Sequence, residues 1–385
     1  MPGVRVHEQF ADRMIILTVN SGSTSVKWAA YEASATGQPL RLGAGHSSGD
    51  ETASHADMVA FLNTLPHRPD AVAHRIVHGG TQFTHPVQID ASLVAAIEAL
   101  SELAPLHNPK ALRWLNTART ACGPEVPQVA VFDTSFFAGL PRVAGEYALS
   151  AAVGVSQGVR RYGFHGLAHQ AMSDGWQRLR PDLVGGGRLI TLQLGGGCSI
   201  SAIQAGRPLD TSMGFSPLEG LVMATRSGDI DAAVVPYLQR RLGKTSAQII
   251  ALLNENAGLE GICGSSTDMG TLLANLAPEC QFAVELYCYR ARKYVGAYMT
   301  VLGGCDGIVF GGGVGEHVPA IRARILSDMH WAGIEIDADA NERARGKELR
   351  ISAPDSRVAV NVIPVDEEHR LMSAALEILR PGAGA

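Results

Sequence analysis

A short stretch near the start of the sequence carries more hydrogen-bonding groups than a turn requires. The segment ILTVNSGSTSVKW, residues 16–28, passes from apolar residues through a run of small polar ones, Asn20 to Ser25, and back to apolar residues with Lys27 among them. A two-residue hairpin turn needs only Asn-Gly or Asp-Gly. A turn of small residues also lets backbone N–H groups point into a concavity and bind an anion. The stretch therefore favours phosphate binding.

A second segment, LITLQLGGGCSI at 189–200, echoes IILTVNSGSTSV at 15–26. With a constant offset of 174 residues, Gly22 aligns with Gly196 and Ser25 with Ser199. Both segments are predicted to form a strand, a small-residue turn and a second strand. Two interpretations stay open: a chance match in a glycine-rich chain, or a duplication that gives two similar domains, each with a phosphate-holding hairpin, on either side of a cleft.

Other schemes for binding phosphate or a metal find little support. Gly243-Lys244-Thr245 has the last three letters of a P-loop, but Leu238 stands where that motif needs glycine. No G-x-G-x-x-G is present, which removes the usual dinucleotide fingerprint. The six cysteines show no C-x-x-C pair, and His and Cys do not cluster at ligand spacing. We therefore expect reduced thiols and no cysteine-bound metal.

The composition narrows the class of protein. A chain of 385 residues favours two domains, and 46% hydrophobic with 18% charged residues suits globular cores. The net charge of −5 argues against nucleic acid or an anionic membrane as the main partner. No apolar run reaches the ~18 residues of a membrane span, and 1–13 lacks the apolar core of a secretion signal and is predicted to be a loose tail. A cytoplasmic protein is expected.

The elements that must position these residues follow an α/β pattern, because Val- and Ile-rich segments alternate with stretches of helical period. Strands are predicted at 14–20, 71–77, 128–132, 188–194, 308–310 and 357–364. Helices are predicted at 91–103, 229–241, 246–254, 281–302 and 367–379.

Eight further stretches carry a resemblance to a known family. They are AHRIVHGG (73–80), LAPLHNP (103–109), VFDTSFF (131–137), RRYGFHG (160–166), LGGGCSI (194–200), DTSMGFSPLEGLVMATRSGDID (210–231), VFGGGVGEH (309–317) and VIPVDEEHR (362–370). Together, and in this order, they resemble the acetate kinase family, within the superfamily of sugar kinases, heat-shock 70 proteins and actin. The resemblance implies an α/β fold of two duplicated actin/ribonuclease-H-like domains with a central cleft. The expected domains are 1–148 with 366–385, and 149–365 as the nucleotide-binding domain.

The resemblance implies reversible, Mg-dependent transfer of the γ-phosphoryl group of ATP to acetate. Arg75 and Arg226 match the family's active-site arginines, expected to converge from opposite lobes, and His165 matches the histidine that donates to the phosphoryl group. Asp133 matches the catalytic aspartate, expected to orient an arginine or a water, because acetate is already ionised at pH 7 and needs no general base. Arginine suits this work because its charge is permanent and its donors match carboxylate and phosphoryl oxygens.

The remaining matches describe binding. Asn20 and Glu367 match residues that position Mg²⁺ (or Mn²⁺), expected to act through water. The small apolar pocket for the acetate methyl group is expected from Arg75, Val77, Leu106, Phe164 and Pro217. The residues expected to face phosphates or nucleotide are Ser23, Ser25, Lys27, Gly195, Gly196, Gly197, Asp268, Gly313, Val314, Gly315 and His317.

Departures from the family pattern concentrate on the nucleotide side. Gly196 stands where the family usually has Asn, Gly270 where an arginine commonly lies against the adenine, and His317 where Asn is usual. Val365-Asp366 likewise replaces Thr-Asn before the paired glutamates. Loss of a base-stacking arginine predicts looser discrimination among purine nucleotides.

Three functions follow, in two classes. The first is an acetate kinase, and the second is a kinase for propionate or butyrate, or one with a relaxed or non-ATP phosphoryl donor. The third is a catalytically silent nucleotide-binding regulator, disfavoured because the five residues of the expected chemistry are all retained: Arg75, Asp133, His165, Arg226 and Glu367. A homodimer is expected from the resemblance, with 281–302 as a candidate face.

Overall fold

The computed structural model describes residues 13–22, 26–34, 38–47, 51–105, 107–264 and 266–380. The chain divides into two compact units: a first unit of Met1–Ala138 with Asp366–Ala385, and a second unit of Gly139–Val365. Each unit is described separately below.

The strands and helices are numbered along the whole chain. The strands are β1 Met14–Ser21, β2 Val26–Ala33, β3 Leu40–Ser47, β4 Ala71–Ile76, β5 Val87–Gln88, β6 Gln128–Phe132, β7 Arg188–Leu194, β8 Cys198–Gln204, β9 Arg207–Thr211, β10 Gly307–Gly311, β11 Leu349–Arg350 and β12 Ala359–Val362. The helices are α1 Glu51–Leu62, α2 Ala91–Ala99, α3 Asn108–Cys122, α4 Arg142–Gly145, α5 Gly166–Leu179, α6 Val234–Leu242, α7 Ser246–Glu255, α8 Gly258–Cys263, α9 Met269–Ala274, α10 Pro278–Val301, α11 Gly312–His317, α12 Pro319–Leu326, α13 Ala338–Arg343 and α14 Glu367–Leu379.

The two units contain the same mixed sheet. The strand order is β3-β2-β1-β4-β6-β5 in the first unit and β9-β8-β7-β10-β12-β11 in the second, which is the same order advanced by six strands. The directions also agree, since the first three strands of each unit are antiparallel and the next two join in parallel. The echo between 15–26 and 189–200 is therefore the trace of two similar domains, as one of its two interpretations predicted.

Central parallel strands are apolar on both faces because helices cover both sides of such sheets. In the first unit, Leu17, Val19 and Val72 form a buried cluster with Trp28 and Trp114. The helix α14 packs against β1 and β4, although it lies more than 200 residues beyond them in the chain. The helix α14 thus covers the sheet of the first unit.

In the second unit, α5 packs against β7 and β10, and α10 packs against β7, β8 and β9. Of the predicted elements, 128–132, 188–194 and 367–379 have the observed bounds of β6, β7 and α14. The predicted helix at 229–241 is wrong at its start, because α6 begins at Val234. The side chain of Asp229 instead accepts hydrogen bonds from Gly220 N (2.8 Å) and Tyr294 OH (2.7 Å), which holds it in a loop.

Two of the cysteines are bonded, which corrects the expectation of reduced thiols. Cys263 at the end of α8 and Cys280 in the first turn of α10 form a disulfide, with Cα atoms 4.4 Å apart. The packing of α8 against α10 brings them together. Cys122, Cys198, Cys288 and Cys305 are free and buried. Across the ranges described, no helix has the length and apolar character needed to span a bilayer.

Candidate functional site

In the first unit, three parallel strands deliver polar side chains to one edge of the sheet. Asn20 lies near the end of β1, Arg75 near the end of β4, and Asp133 directly follows β6. The guanidinium of Arg75 donates to Asp133 through Nη2 to Oδ2 (2.6 Å) and through Nε to both carboxylate oxygens (3.1 Å each). Its Nη1 donates to Asn20 Oδ1 at 3.0 Å. The structure thus brings three predicted residues into one hydrogen-bonded group.

The fourth member of this group comes from α14. Asn20 Nδ2 donates to Glu367 Oε2 (2.7 Å) and to Glu368 Oε1 (3.2 Å), and Arg75 Nη1 lies 3.4 Å from Glu367 Oε2. Asp366 caps the helix by accepting a hydrogen bond from His369 N at 2.8 Å. Because Asp366 performs the capping, the carboxylate of Glu367 is left for the group around Arg75.

The charges in this group do not balance. Arg75 is one cation among three carboxylates: Asp133, Glu367 and Glu368. Burial lowers the pKa of Arg75, but the attraction of Asp133 and Glu367 outweighs burial and raises that pKa above its ordinary value. The excess of negative charge suits a divalent cation, and Mg²⁺ commonly takes one or two carboxylates, keeps several waters and completes its shell with phosphate oxygens. The described residues include no group of three or more His, Cys, Asp or Glu that would form an all-protein metal cage.

In the second unit, His165 lies at the start of α5 in the left-handed region of backbone space (φ 59°). Its Nδ1 is 2.8 Å from Ser199 Oγ on β8. The opposite edge of the ring approaches the glycine turn between β7 and β8, since a Cβ atom added at Gly197 would lie 3.1 Å from both Cε1 and Nε2 of His165. The same added atom would lie 3.7 Å from Nη1 of Arg226. His165 and Arg226 therefore flank one point of the hairpin turn.

Arg226 is held by backbone rather than by a counter-charge. Its Nη1 donates to Pro217 O at 3.1 Å, and among the residues that the structure describes no carboxylate pairs with it. The neighbouring Ala224 N donates to Gly196 O (3.1 Å), which ties the Arg226 loop to the hairpin turn. Burial lowers the pKa of Arg226, and Cys198 opposes this only in part. A half-buried, uncompensated guanidinium favours the binding of an anion.

The loop that carries Arg226 depends on close contact with α8. Leu259 N donates to Met223 O (3.0 Å) and Glu260 N donates to Ala224 O (2.9 Å). Gly258, the first residue of α8, has φ +62°, and a Cβ atom there would come within 2.2 Å of Met223 O. Glycine is therefore required at this position for the loop and helix to meet.

The predicted nucleotide residues occupy separate elements of the second unit. Gly195–Gly197 form the β7–β8 turn, closed by Gly195 N donating to Gly197 O at 3.1 Å. Gly313, Val314, Gly315 and His317 lie on α11, directly after β10. Asp268 caps α9, since its Oδ1 accepts hydrogen bonds from Thr271 N (2.8 Å) and Thr271 Oγ1 (2.7 Å). The Asp268 carboxylate thus has a structural use that the sequence did not indicate.

The structure places each of the remaining predicted residues individually, except for three that lie outside its described ranges. Val77 is buried just beyond β4, Phe164 is buried beside His165, and Pro217 contacts Arg226 as given above. Lys27 is exposed on β2, opposite Asn20. Leu106, Ser23 and Ser25 lie outside the described residues.

Sequence reasoning missed three contributors. Glu368 adds negative charge beside Asn20. The sequence feature that could have identified it is the pair of adjacent glutamates, Glu367 and Glu368. Glu316 Oε1 accepts hydrogen bonds from Gly312 N (2.9 Å) and Val365 N (3.0 Å). It therefore links the first residue of α11 to the segment that leads into α14. Ser199 contacts His165 and had appeared only as a partner in the hairpin echo.

Comparison with known proteins gives one consistent result. The sequence profile of the Acetokinase family matches residues 53–373. The chain is 45% identical over 302 residues to an acetate kinase of Solibacter usitatus, covering 77% of this chain and 73% of the relative. Its structure is similar to that of Porphyromonas gingivalis acetate kinase, with TM-score 0.82, 35% identity and coverage of 95% and 100% of the two chains. It is also similar to a propionate kinase from Francisella tularensis subsp. tularensis SCHU S4, with TM-score 0.84, 33% identity and coverage of 94% and 98%.

Proposed function

The chain belongs to the acetate kinase family and is an enzyme that transfers the γ-phosphoryl group of ATP to acetate, and we propose that Arg75, Asp133, His165 and Arg226 carry out this reaction. In the forward direction an acetate oxygen forms a bond to the γ-phosphorus, the bond to the bridging oxygen breaks, and ADP leaves. Little covalent work falls to the protein, so positioning and charge neutralisation supply most of the rate enhancement.

The observation that carries this proposal is the environment of Arg226. Its guanidinium is half buried, lacks a carboxylate partner within the described ranges, and shares the Gly197 turn with the Nε2 edge of His165. The negative charge on the phosphoryl oxygens is redistributed during transfer. Two hydrogen-bond donors at one turn can stabilise that charge in the transition state. We assign both side chains to the phosphoryl oxygens.

Arg75 has the complementary role of binding the carboxylate of acetate. Asp133 holds its Nε and Nη2 in a two-oxygen grip, which fixes the plane of the guanidinium. This geometry supports an orienting role for Asp133, with no role in abstracting a proton. Acetate is an anion at neutral pH, so its oxygen attacks without a general base.

Mg²⁺, or Mn²⁺ in its place, fits the group formed by Asn20 and Glu367. The donors are amide and carboxylate oxygens, and the local charge is negative. When bound, the ion would neutralise charge on the ATP phosphates. Asn20 and Glu367 would hold it largely through water, since Mg²⁺ dehydrates reluctantly.

A second candidate substrate is propionate. The propionate kinase of Francisella tularensis subsp. tularensis SCHU S4 has a similar structure, and each extra methylene is discriminated by only about 1–3 kcal/mol. We propose Val77, Phe164 and Pro217, with Leu106, as the residues that contact the acyl chain. On the donor side, we propose that ATP is used with loose purine discrimination, because Gly270 leaves no arginine side chain to stack on the base.

Assay of the full-length chain for acyl phosphate, trapped as hydroxamate, tests the function. Acetate, propionate and butyrate would be compared with ATP, GTP and pyrophosphate as donors. Arg226→Ala should lower kcat by about 10²-fold or more, whereas Arg207→Ala, at an exposed arginine of β9, should leave it unchanged. Wild-type turnover in Arg226→Ala would refute the assignment, and strict preference for ATP would refute loose donor discrimination.

We also propose a homodimer. Phe282 and Tyr289 lie seven residues apart on α10 and are both more than half exposed, which supports a second copy covering this helix. Light scattering coupled to size exclusion tests this directly. The cytoplasmic location stays a prediction from the sequence.

A further inference from the structure

Four side chains of the second unit form a continuous hydrogen-bonded chain that ends at His165. Thr191 Oγ1 lies 2.7 Å from His169 Nδ1, His169 Nε2 lies 2.8 Å from Ser199 Oγ, and Ser199 Oγ lies 2.8 Å from His165 Nδ1. Thr191, His169 and Ser199 have no exposed surface. The chain is therefore sealed from solvent up to the ring of His165.

The fold explains why these groups meet. Thr191 pairs with Ser201 and Gln193 with Ser199 across the β7–β8 ladder, so Thr191 and Ser199 lie on the same face, two residues apart along the strands. His169 N donates to His165 O at 2.9 Å, so the two histidines lie one helical turn apart at the start of α5. His165, with its left-handed backbone, directly precedes this helix, and its ring contacts Ser199.

Two directions of hydrogen bonding are conceivable in this chain. In one, Thr191 donates to His169 Nδ1, His169 Nε2–H donates to Ser199, and Ser199 donates to His165 Nδ1, so the proton of a neutral His165 sits on Nε2. In the other, every bond is reversed and a neutral His165 carries its proton on Nδ1. Hydroxyl groups accept either role, so distances alone do not choose.

The surroundings of Thr191 at one end of the chain and of His165 at the other favour the first direction. Among the described residues His169 is the hydrogen-bond partner of the Thr191 hydroxyl, so reversal would leave the buried Thr191 hydrogen without an acceptor. At the other end, Arg226 lies across the Gly197 turn from His165. A proton added to His165 would place a second positive charge beside that guanidinium, which is electrostatically unfavourable.

We propose that Thr191, His169 and Ser199 are positioning residues that hold His165 neutral with its proton on Nε2, the ring edge that faces the Gly197 turn. Burial keeps His169 itself neutral, because it lowers the pKa of that ring well below its usual value. The consequence for phosphoryl transfer rests on the proposed function: Nε2–H is then a ready donor to a phosphoryl oxygen without a prior protonation.

Nitrogen-15 NMR of the full-length chain with labelled histidines tests the proton's position. The sequence has 13 histidines, and the His165 signals are identified by their loss in His165→Gln. We expect a protonated Nε2 and a bare, hydrogen-bonded Nδ1 near neutral pH. A proton on Nδ1, or on both nitrogens, would overturn the proposal.

A matched pair of variants tests the direction of the chain. Thr191→Val keeps the side-chain shape but removes the hydroxyl that donates to His169, whereas Thr191→Ser keeps the hydroxyl. We expect Thr191→Val to mix the two His165 forms and to lower kcat about tenfold, the worth of one hydrogen bond, with KM values little changed, and Thr191→Ser to restore both readouts. An unchanged His165 spectrum in Thr191→Val overturns the proposal.

Ser199→Ala provides a second variant if Thr191→Val does not fold. It should release His165 Nδ1 and change the His165 spectrum directly; an unaltered spectrum overturns the chain. The spectra do not depend on turnover. If His165→Gln keeps full activity while the wild-type ring carries its proton on Nε2, the catalytic role of His165 fails and the hydrogen-bonded chain stands.

Discussion

Asp133 grips Arg75 through both of its carboxylate oxygens, with the shortest contact, Nη2 to Oδ2, at 2.6 Å. Asp133 is almost fully buried and the arginine side chain is only 11% exposed. An ion pair so little exposed has much of its attraction unscreened. The pair therefore fixes the direction of one guanidinium instead of merely neutralising it.

Replacing Asp133 with Asn should loosen that grip. The amide removes the charge and one acceptor, so kcat/KM for acetate should fall by about 10²-fold. The matched control is Glu146→Gln, which alters an arginine–carboxylate pair on the surface, where Arg142 is 86% exposed. Steady-state kinetics of both variants give the comparison. Equal effects at the two sites would contradict the orienting role of Asp133.

Two arginines of the second unit, the half-buried Arg226 and the fully buried Arg322, should have opposite effects on stability when they are replaced. Arg226 is partly buried and no carboxylate of the described residues pairs with it, so Arg226→Met should leave the free energy of unfolding unchanged or raise it while activity falls. Arg322 is fully buried and donates to Asn341 Oδ1 (2.8 Å), Asn341 O (2.6 Å) and Gly315 O (2.7 Å). Arg322→Met would strand those acceptors and should cost about 3 kcal/mol or more. Urea unfolding of both variants decides the matter.

Neighbouring glycines of one turn provide a steric test. A methyl group at Gly197 would meet the His165 ring at 3.1 Å, whereas at Gly196 nothing lies within 4 Å. Gly197→Ala should therefore lower kcat by about tenfold or more through displacement of His165, and Gly196→Ala should not. If Gly196→Ala is as harmful as Gly197→Ala, contact with His165 is not the cause.

Reduction of the Cys263–Cys280 bond should lower stability. The bond closes a loop of 17 residues, for which restriction of the unfolded chain is worth about 3 kcal/mol. Thermal unfolding with and without a thiol reductant measures this in the wild-type chain. Cys263→Ala/Cys280→Ala keeps the four free cysteines as an internal control and should show no response to reductant.

Stability should also fall in mild acid. Burial lowers the pKa of His74 from its ordinary value of 6.5 to about 4. Between those values the unfolded chain binds a proton that the folded chain does not, so stability falls as pH drops from 6.5 toward 4, by about 3 kcal/mol for this group. His74→Asn should reduce the slope of unfolding free energy against pH over that range. His85→Asn, at an exposed ring, is the control.

The sequence predicted the elements whose signals are local. The strand at 188–194 is rich in Leu and Ile, and the helix at 367–379 has an apolar face together with two acidic residues in its first turn. It misplaced the start of α6, because Asp229 is held by Gly220 and by Tyr294, a residue 65 positions away. Likewise no local pattern marks Cys263 and Cys280 as partners.

The same distinction holds for the candidate site. Arg75, Asp133, Asn20 and Glu367 were each identified by a motif, and the structure joins them in one group. Thr191 carries no motif and gains its meaning from β-ladder register and from a histidine on another element. Long-range register of this kind is decided by packing, which a single sequence does not display.

The bond between Asn20 and Glu367 spans 347 positions of the chain, and this has a consequence for synthesis on the ribosome. The second unit is one continuous segment and can fold as soon as it has emerged, whereas the first has to wait for α14 to cover β1 and β4. Until then a nascent chain has no Glu367 beside Arg75. The group proposed to position the metal ion is therefore completed only late in translation.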